Sequence, residues 1–146
     1  MRLDKTAEPQ RRVLTANTLI RVGNFGNGQA AISWTAPSTN NGSVITDYTI
    51  QYSSNGGTSW STFTHAASAA TSATVTGLTN GTSYTFKVAA VNDVGTSTYS
   101  AVSSAIIPAT LPATISSAPS AQAGDQAVTV SWTAPAANGC AITDYG

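Results

Sequence analysis

Charge is the scarcest commodity in this chain of 146 residues: six basic and six acidic side chains make up 8% of the total and cancel to zero. Globular domains carry about 25% charged residues. A nucleic-acid binder needs clustered Lys and Arg to displace counterions from phosphate, and beyond Arg21 the only basic residue is Lys87. No nucleic-acid partner is expected. No run approaches the roughly 18 apolar residues of a spanning helix, so no membrane insertion is expected either. Cys140 is the only cysteine and His65 the only histidine. An intramolecular disulfide, a thiolate metal site and a multi-histidine site are therefore out of reach, and the expected metal and cofactor complement is none.

Catalytic constellations are equally thin. No G-x-S-x-G elbow is present. Asp47 and Asp93 are the only carboxylates between Val22 and Pro108, too sparse for the paired acids of a glycosidase. Neither a phosphate-cradling loop that opens a helix nor Arg-Gly-Asp occurs. The chain is expected not to be an enzyme.

The charges that exist are unevenly placed. Arg2, Asp4, Lys5, Glu8, Arg11, Arg12 and Arg21 crowd the beginning, so residues 1–17 read as a basic leader without fixed structure. A secretory signal would put 7–15 apolar residues after a basic start. Met1 to Arg12 contains no such stretch, and no export signal is visible there.

What the chain does have is repetition. Ala30 to Tyr48, AAISWTAPSTNNGSVITDY, returns as Val128 to Tyr145, VTVSWTAPAANGCAITDY. Trp34 and Trp132 are 98 positions apart, Tyr48 and Tyr145 are 97 apart, and one residue is missing from the second loop. Such a period is the size of a small sandwich domain and far exceeds the 20–50 residues of a solenoid repeat. Inside the first copy, short stretches rich in Val, Ile, Thr and aromatics alternate large with small or polar side chains, and Asn41-Gly42, Asn55-Gly56-Gly57 and Asn80-Gly81 punctuate them. Period two between Asn-Gly turns is the strand signature. The spacing predicts strands at about Thr18–Asn24, Ala30–Thr35, Ile45–Ser53, Ser59–Thr64, Ser72–Thr76, Ser83–Asn92 and Tyr99–Ile107. The alanines of Ala66 to Ala73 carry no apolar stripe and are read as a loop running into a strand. The fold class is all-β: a two-sheet antiparallel, immunoglobulin-like sandwich of seven strands.

Together, Ser33-Trp34-Thr35-Ala36-Pro37, Ile45-Thr46-Asp47-Tyr48, Leu78-Thr79-Asn80-Gly81-Thr82-Ser83-Tyr84 and Val88-Ala89-Ala90-Val91-Asn92 with Gly95, Ser97 and Ser100 resemble the fibronectin type III domain. The resemblance implies a domain over residues 18–108, a linker at 109–117, extended by Pro108, Pro112 and Pro119, and a truncated second repeat at 118–146 that does not fold independently. It implies that Trp34 is the core tryptophan of the second strand, and that Leu78 and Tyr84 form the tyrosine corner, whose buried hydroxyl must find a backbone partner.

The candidate binding residues are Trp60 with Tyr52, as an aromatic platform for a sugar ring, and Asn92, Asp93 and Thr96 in a loop expected to meet Pro37–Ser43 at one end of the sandwich. Asn41-Gly42-Ser43 and Asn80-Gly81-Thr82 match the glycosylation pattern, although turns need Asn-Gly there anyway. The resemblance and the charge-poor style imply a bacterial, extracellular module in a tandem repeat, monomeric, spacing or presenting neighbouring domains of a secreted or cell-surface protein. The alternative is a carbohydrate- or protein-binding accessory module of a polysaccharide-degrading enzyme or adhesin.

Overall fold

The computed structural model describes residues 20–40 and 42–145. The leader at 1–17 and the start of the first expected strand, Thr18 and Leu19, lie outside the described residues. Nine strands follow in chain order: β1 (Ile20–Gly26), β2 (Gln29–Trp34), β3 (Ile45–Ser53), β4 (Ser61–Phe63), β5 (Ser72–Thr76), β6 (Thr85–Asn92), β7 (Gly95–Thr96), β8 (Ser120–Gly124) and β9 (Ala127–Ser131).

Two antiparallel sheets, β1-β2-β5 and β4-β3-β6-β7, face each other, and β8-β9 is a separate hairpin. The period-two patterning explains the layers. Ala30, Ile32 and Trp34 of β2, Tyr48 and Ile50 of β3, Val75 of β5 and Phe86, Val88 and Ala90 of β6 all turn inward, each 7% exposed or less. Register follows from those inward rows, because a one-residue slip would send each set to solvent. Tyr48 pairs with Ala90, Ile50 with Val88 and Tyr52 with Phe86. Trp34 and Tyr48 meet across the sheets edge to face, with centroids 5.1 Å apart.

The expected last strand, Tyr99–Ile107, takes another form. Only Gly95–Thr96 pairs regularly with β6, and a single bridge joins Tyr84 to Ile106. Between them the backbone N–H groups of Ser97, Ser100 and Ser103 donate to the carbonyls of Ala90, Val88 and Phe86 at 2.8, 2.8 and 2.9 Å. The hydroxyls of the same serines accept from the N–H groups of Ala90, Val88 and Phe86 at 2.9, 3.1 and 3.0 Å. Each hydroxyl then donates to the carbonyl one residue on, at 2.8 Å. Three residues of this edge thus face two of β6, and a serine oxygen takes the place of a strand carbonyl. The backbone groups of Phe86, Val88 and Ala90 stay paired, while a regular edge ladder, open to further strands, is absent over this stretch.

The C-terminal part, expected as an extended linker followed by a truncated second repeat, makes contacts of its own. Pro108 and Ala109 are buried, and β8 and β9 form an exposed hairpin. The N–H groups of Thr110 and Ala113 donate to the carbonyls of Asn138 and Ala136 at 3.1 and 2.9 Å.

Candidate functional site

The two loops expected to share one end of the sandwich do meet there, and Asn92 joins them. Its side-chain amide donates to the carbonyls of Ser43 and Asn40 at 3.3 and 3.5 Å. Its Oδ1 accepts from the N–H groups of Val94 and Gly95 at 3.0 and 3.1 Å. With 6% exposure, Asn92 has no hydrogen-bonding capacity turned outward. As a ligand-binding residue it is corrected to a strut. Asp93 and Thr96 are exposed on the turn that Asn92 braces. Beside the loops, Ala36, Pro37, Ser38, Val44, Tyr48 and Thr71 line a shallow concavity of about 520 Å³. Burial raises the Tyr48 hydroxyl above its usual pKa near 10, with the Trp34 side chain opposing the shift.

The aromatic platform expected of Trp60 and Tyr52 is not assembled. Tyr52 lies on the inward row of β3, where its ring meets Tyr84 edge to face at 6.0 Å and packs against the core. Trp60 belongs to the opposite face. There the Lys87 ammonium sits 4.1 Å from the Trp60 ring centroid and 4.6 Å from that of Tyr99. Alternation along β3 and β6 separates the two: Tyr52 pairs with Phe86 inside, and Gln51 pairs with Lys87 outside. The indole is half-buried, with Gly57 close against it and a cation over its ring. That is a cation–π contact of about 0.5–1 kcal/mol. The alternation of large and small side chains along this strand predicts an outer row of Lys87 and Ala89 open to solvent, but Lys87 is half-buried and Ala89 is 0% exposed.

Sequence reasoning missed Tyr99 because no local motif announces a ring brought back from the irregular edge. Only the recurrence of serine at 97, 100 and 103 hinted that this edge is not a simple strand.

Other chemistry-bearing side chains serve the fold. The ring nitrogens of His65 lie 2.9 and 2.8 Å from the carbonyl oxygens of Ala66 and Tyr48, and its Nδ1 is 3.9 Å from Asp47. Asp47 in turn accepts from the Ser68 N–H at 3.0 Å. Asn80 accepts from the Gly28 N–H and donates to Asn27, both at 2.8 Å, which ties the turn that carries its glycosylation pattern to the β1-β2 turn. Among the described residues no three His, Cys, Asp or Glu gather to hold a metal ion, and no helix is long and apolar enough to cross a membrane.

The tyrosine corner decides the family. Leu78 and Tyr84 are 7% and 6% exposed, and the Tyr84 hydroxyl accepts from the Thr79 N–H at 3.1 Å. The model of the fibronectin type III domain matches residues 18–106. The chain belongs to the fibronectin type III family.

Among solved structures, the twitchin kinase region of C. elegans is 32% identical, with a TM-score of 0.56 over 61% of this chain and 16% of that one. Domains A168–A170 of titin are 30% identical, with a TM-score of 0.56 over 60% of this chain and 30% of that one. The FN1–FN3 domains of chicken CNTN1 are 26% identical, with a TM-score of 0.57 over 78% of this chain and 40% of that one. The chain therefore spans less than half the length of each, and each of the three contains more than one domain.

Proposed function

We propose that this fibronectin type III domain is a non-catalytic spacer or presentation module of an extracellular, multidomain protein, secreted or held at a bacterial cell surface. The observation that carries this reading is the commitment of its chemistry-bearing side chains to internal contacts. Asn92 braces two loops, Trp60 is capped by Lys87, Tyr52 packs on Tyr84, and His65 and Asn80 hold backbone. What remains outward at the loops is Asp93, Thr96, Val44, Val94 and small polar residues, without the Trp, Tyr or Arg anchors that dominate interface energy. The module's contribution is mechanical: a stiff sandwich and a joined second segment set the distance and direction of its neighbours.

Glycan arrays and pull-downs with the full chain test this reading. The expected result is no saturable binding. Saturable binding that Trp60→Ala abolishes, with the unfolding midpoint little changed, would replace it by the accessory-module reading. Fractionation of cells expressing the parent protein tests the compartment: recovery in the cytoplasm alone would sink the extracellular part.

A further inference from the structure

The passage from the first module into the second segment is a seated joint. Gly139, at φ +103°, lies against the end of the sandwich where the first module finishes. A Cβ at this position would stand 2.7 Å from the Pro108 carbonyl oxygen and 2.8 Å from the Gly81 nitrogen. Those two atoms share a hydrogen bond of 2.9 Å, so a side chain at 139 would drive straight into it. The seat is stiff. Gly81 follows Asn80, which is clamped to Asn27 and Gly28, and the Leu78 N–H donates to the Gly28 carbonyl at 2.9 Å. Beside the seat, the Asn138 amide donates to the Leu111 carbonyl at 2.9 Å, and Thr110 donates to the Asn138 carbonyl.

By the internal repeat, Gly139 corresponds to Gly42, 97 positions earlier. Gly42 also has a left-handed backbone, φ +87°, yet among the described residues nothing lies within 4 Å of where its Cβ would be. Its loop is as firmly built as the seated one. The Gly42 N–H donates to Asn40 Oδ1 at 3.1 Å, Ser43 N–H to the Asn40 carbonyl at 3.2 Å, and Asn92 ties both ends to the neighbouring turn. Flanking it, Val44 and Val94 are 72% and 44% exposed. One copy of the loop is thus docked on a module end, and its equivalent, with apolar neighbours exposed, meets nothing among the described residues.

We propose that the Gly42 loop is the receiving half of the same joint, seating the Asn-Gly turn and closing-strand carbonyl of a preceding fibronectin type III module of this kind. Successive modules are then held at one fixed orientation rather than strung on a free tether. The inference rests on the spacer reading but can fail separately, since a spacer with loose joints remains a spacer.

Two experiments test it by spin-label distance measurements between modules. In the full chain, Gly139→Asn tolerates the left-handed backbone while adding bulk. It should broaden the distances between the sandwich and the β8-β9 hairpin and speed Gly81 amide exchange about tenfold, with the unfolding midpoint unchanged. Unchanged distances would show that the seat does not hold the segment, and the joint falls.

In an extended chain, residues 1–132 are followed directly by residues 35–146, which places a Gly42 loop on the Gly81 seat of a complete first module. A single narrow distance peak is expected, broadened by Gly42→Asn in the second module and unaffected by the same change in the first. A broad distribution before any substitution, or equal effects of the two substitutions, would overturn the proposal. Glycan binding by the same samples would instead count against the spacer reading.

Discussion

Trp34 with Tyr48 and Trp132 with Tyr145 are the same pair in two surroundings. Both are edge to face, with centroids 5.1 Å apart and planes at 67°. Trp34 is 7% and Tyr48 2% exposed, whereas Trp132 is 42% and Tyr145 41% exposed. Near-identical sequence reproduces the local contact in both places. Only the first pair has a second sheet across from it, supplied by residues more than thirty positions downstream, such as Phe86 and Val88. Hydrophobic stabilisation follows area removed from water rather than the contact itself. The second pair therefore has the geometry without most of the energy.

Hydrogen exchange should separate the two regions most widely. The amides of Val88 and Ile50 should approach the protection of global unfolding, about 5–15 kcal/mol for a small domain. Those of Val128 and Val130, in an exposed two-stranded hairpin, should exchange with little protection. Strong protection there would mean that the second segment is stabilised as a unit, against the expectation that it does not fold independently.

Truncation comes next. Trp34→Ala should cost about 3–5 kcal/mol, read as a shift in the denaturant midpoint, and Trp132→Ala should stay within about 0.5 kcal/mol, as exposed substitutions do. Equal losses would erase the distinction between the pairs.

Alkaline unfolding probes the buried phenol. Burial raises the Tyr48 pKa above 10, so the folded state keeps a proton that the unfolded state releases. That stability is intact below pH 10 and is lost as pH rises through the folded value, by at most about 1.4 kcal/mol per pH unit. Tyr48→Phe should flatten this part of the alkaline stability profile. A slope that survives the substitution would show that Tyr48 is not its source.

The smallest effect concerns the outer face. Lys87→Met should cost about 0.5–1 kcal/mol and shift the Trp60 fluorescence maximum as the ammonium leaves the ring. An unchanged spectrum would show that the cation does not rest on the indole in solution.

Much of the sandwich could be read from residue order because its signals are local. Alternation of large with small or polar side chains marked the strands, among them the one that holds Tyr48 and Ile50, and Asn-Gly pairs named turns by the backbone they permit. The corner of Leu78 and Tyr84 was legible through the family resemblance, and the structure shows that the Thr79 N–H is the partner its buried hydroxyl needs. The candidate site was less legible. Trp60 and Tyr52 are close in sequence, but the pleat sends them to opposite faces. Asn92 looks like any polar loop residue until the loop 52 positions earlier presents its carbonyls.

The amino-acid sequence by itself determined the strand period, the turn positions, the repeat and the chance that each Trp meets its Tyr, because these depend on neighbours within a few residues or one adjacent strand. Tertiary structure alone decided which tryptophan is buried, that Lys87 bridges Trp60 and Tyr99, that serines stand in for carbonyls along β6, and that Gly139 is seated while Gly42 is bare. Each of these depends on what lies opposite in space, and a chain's order does not state its opposite until the sheets have closed on each other.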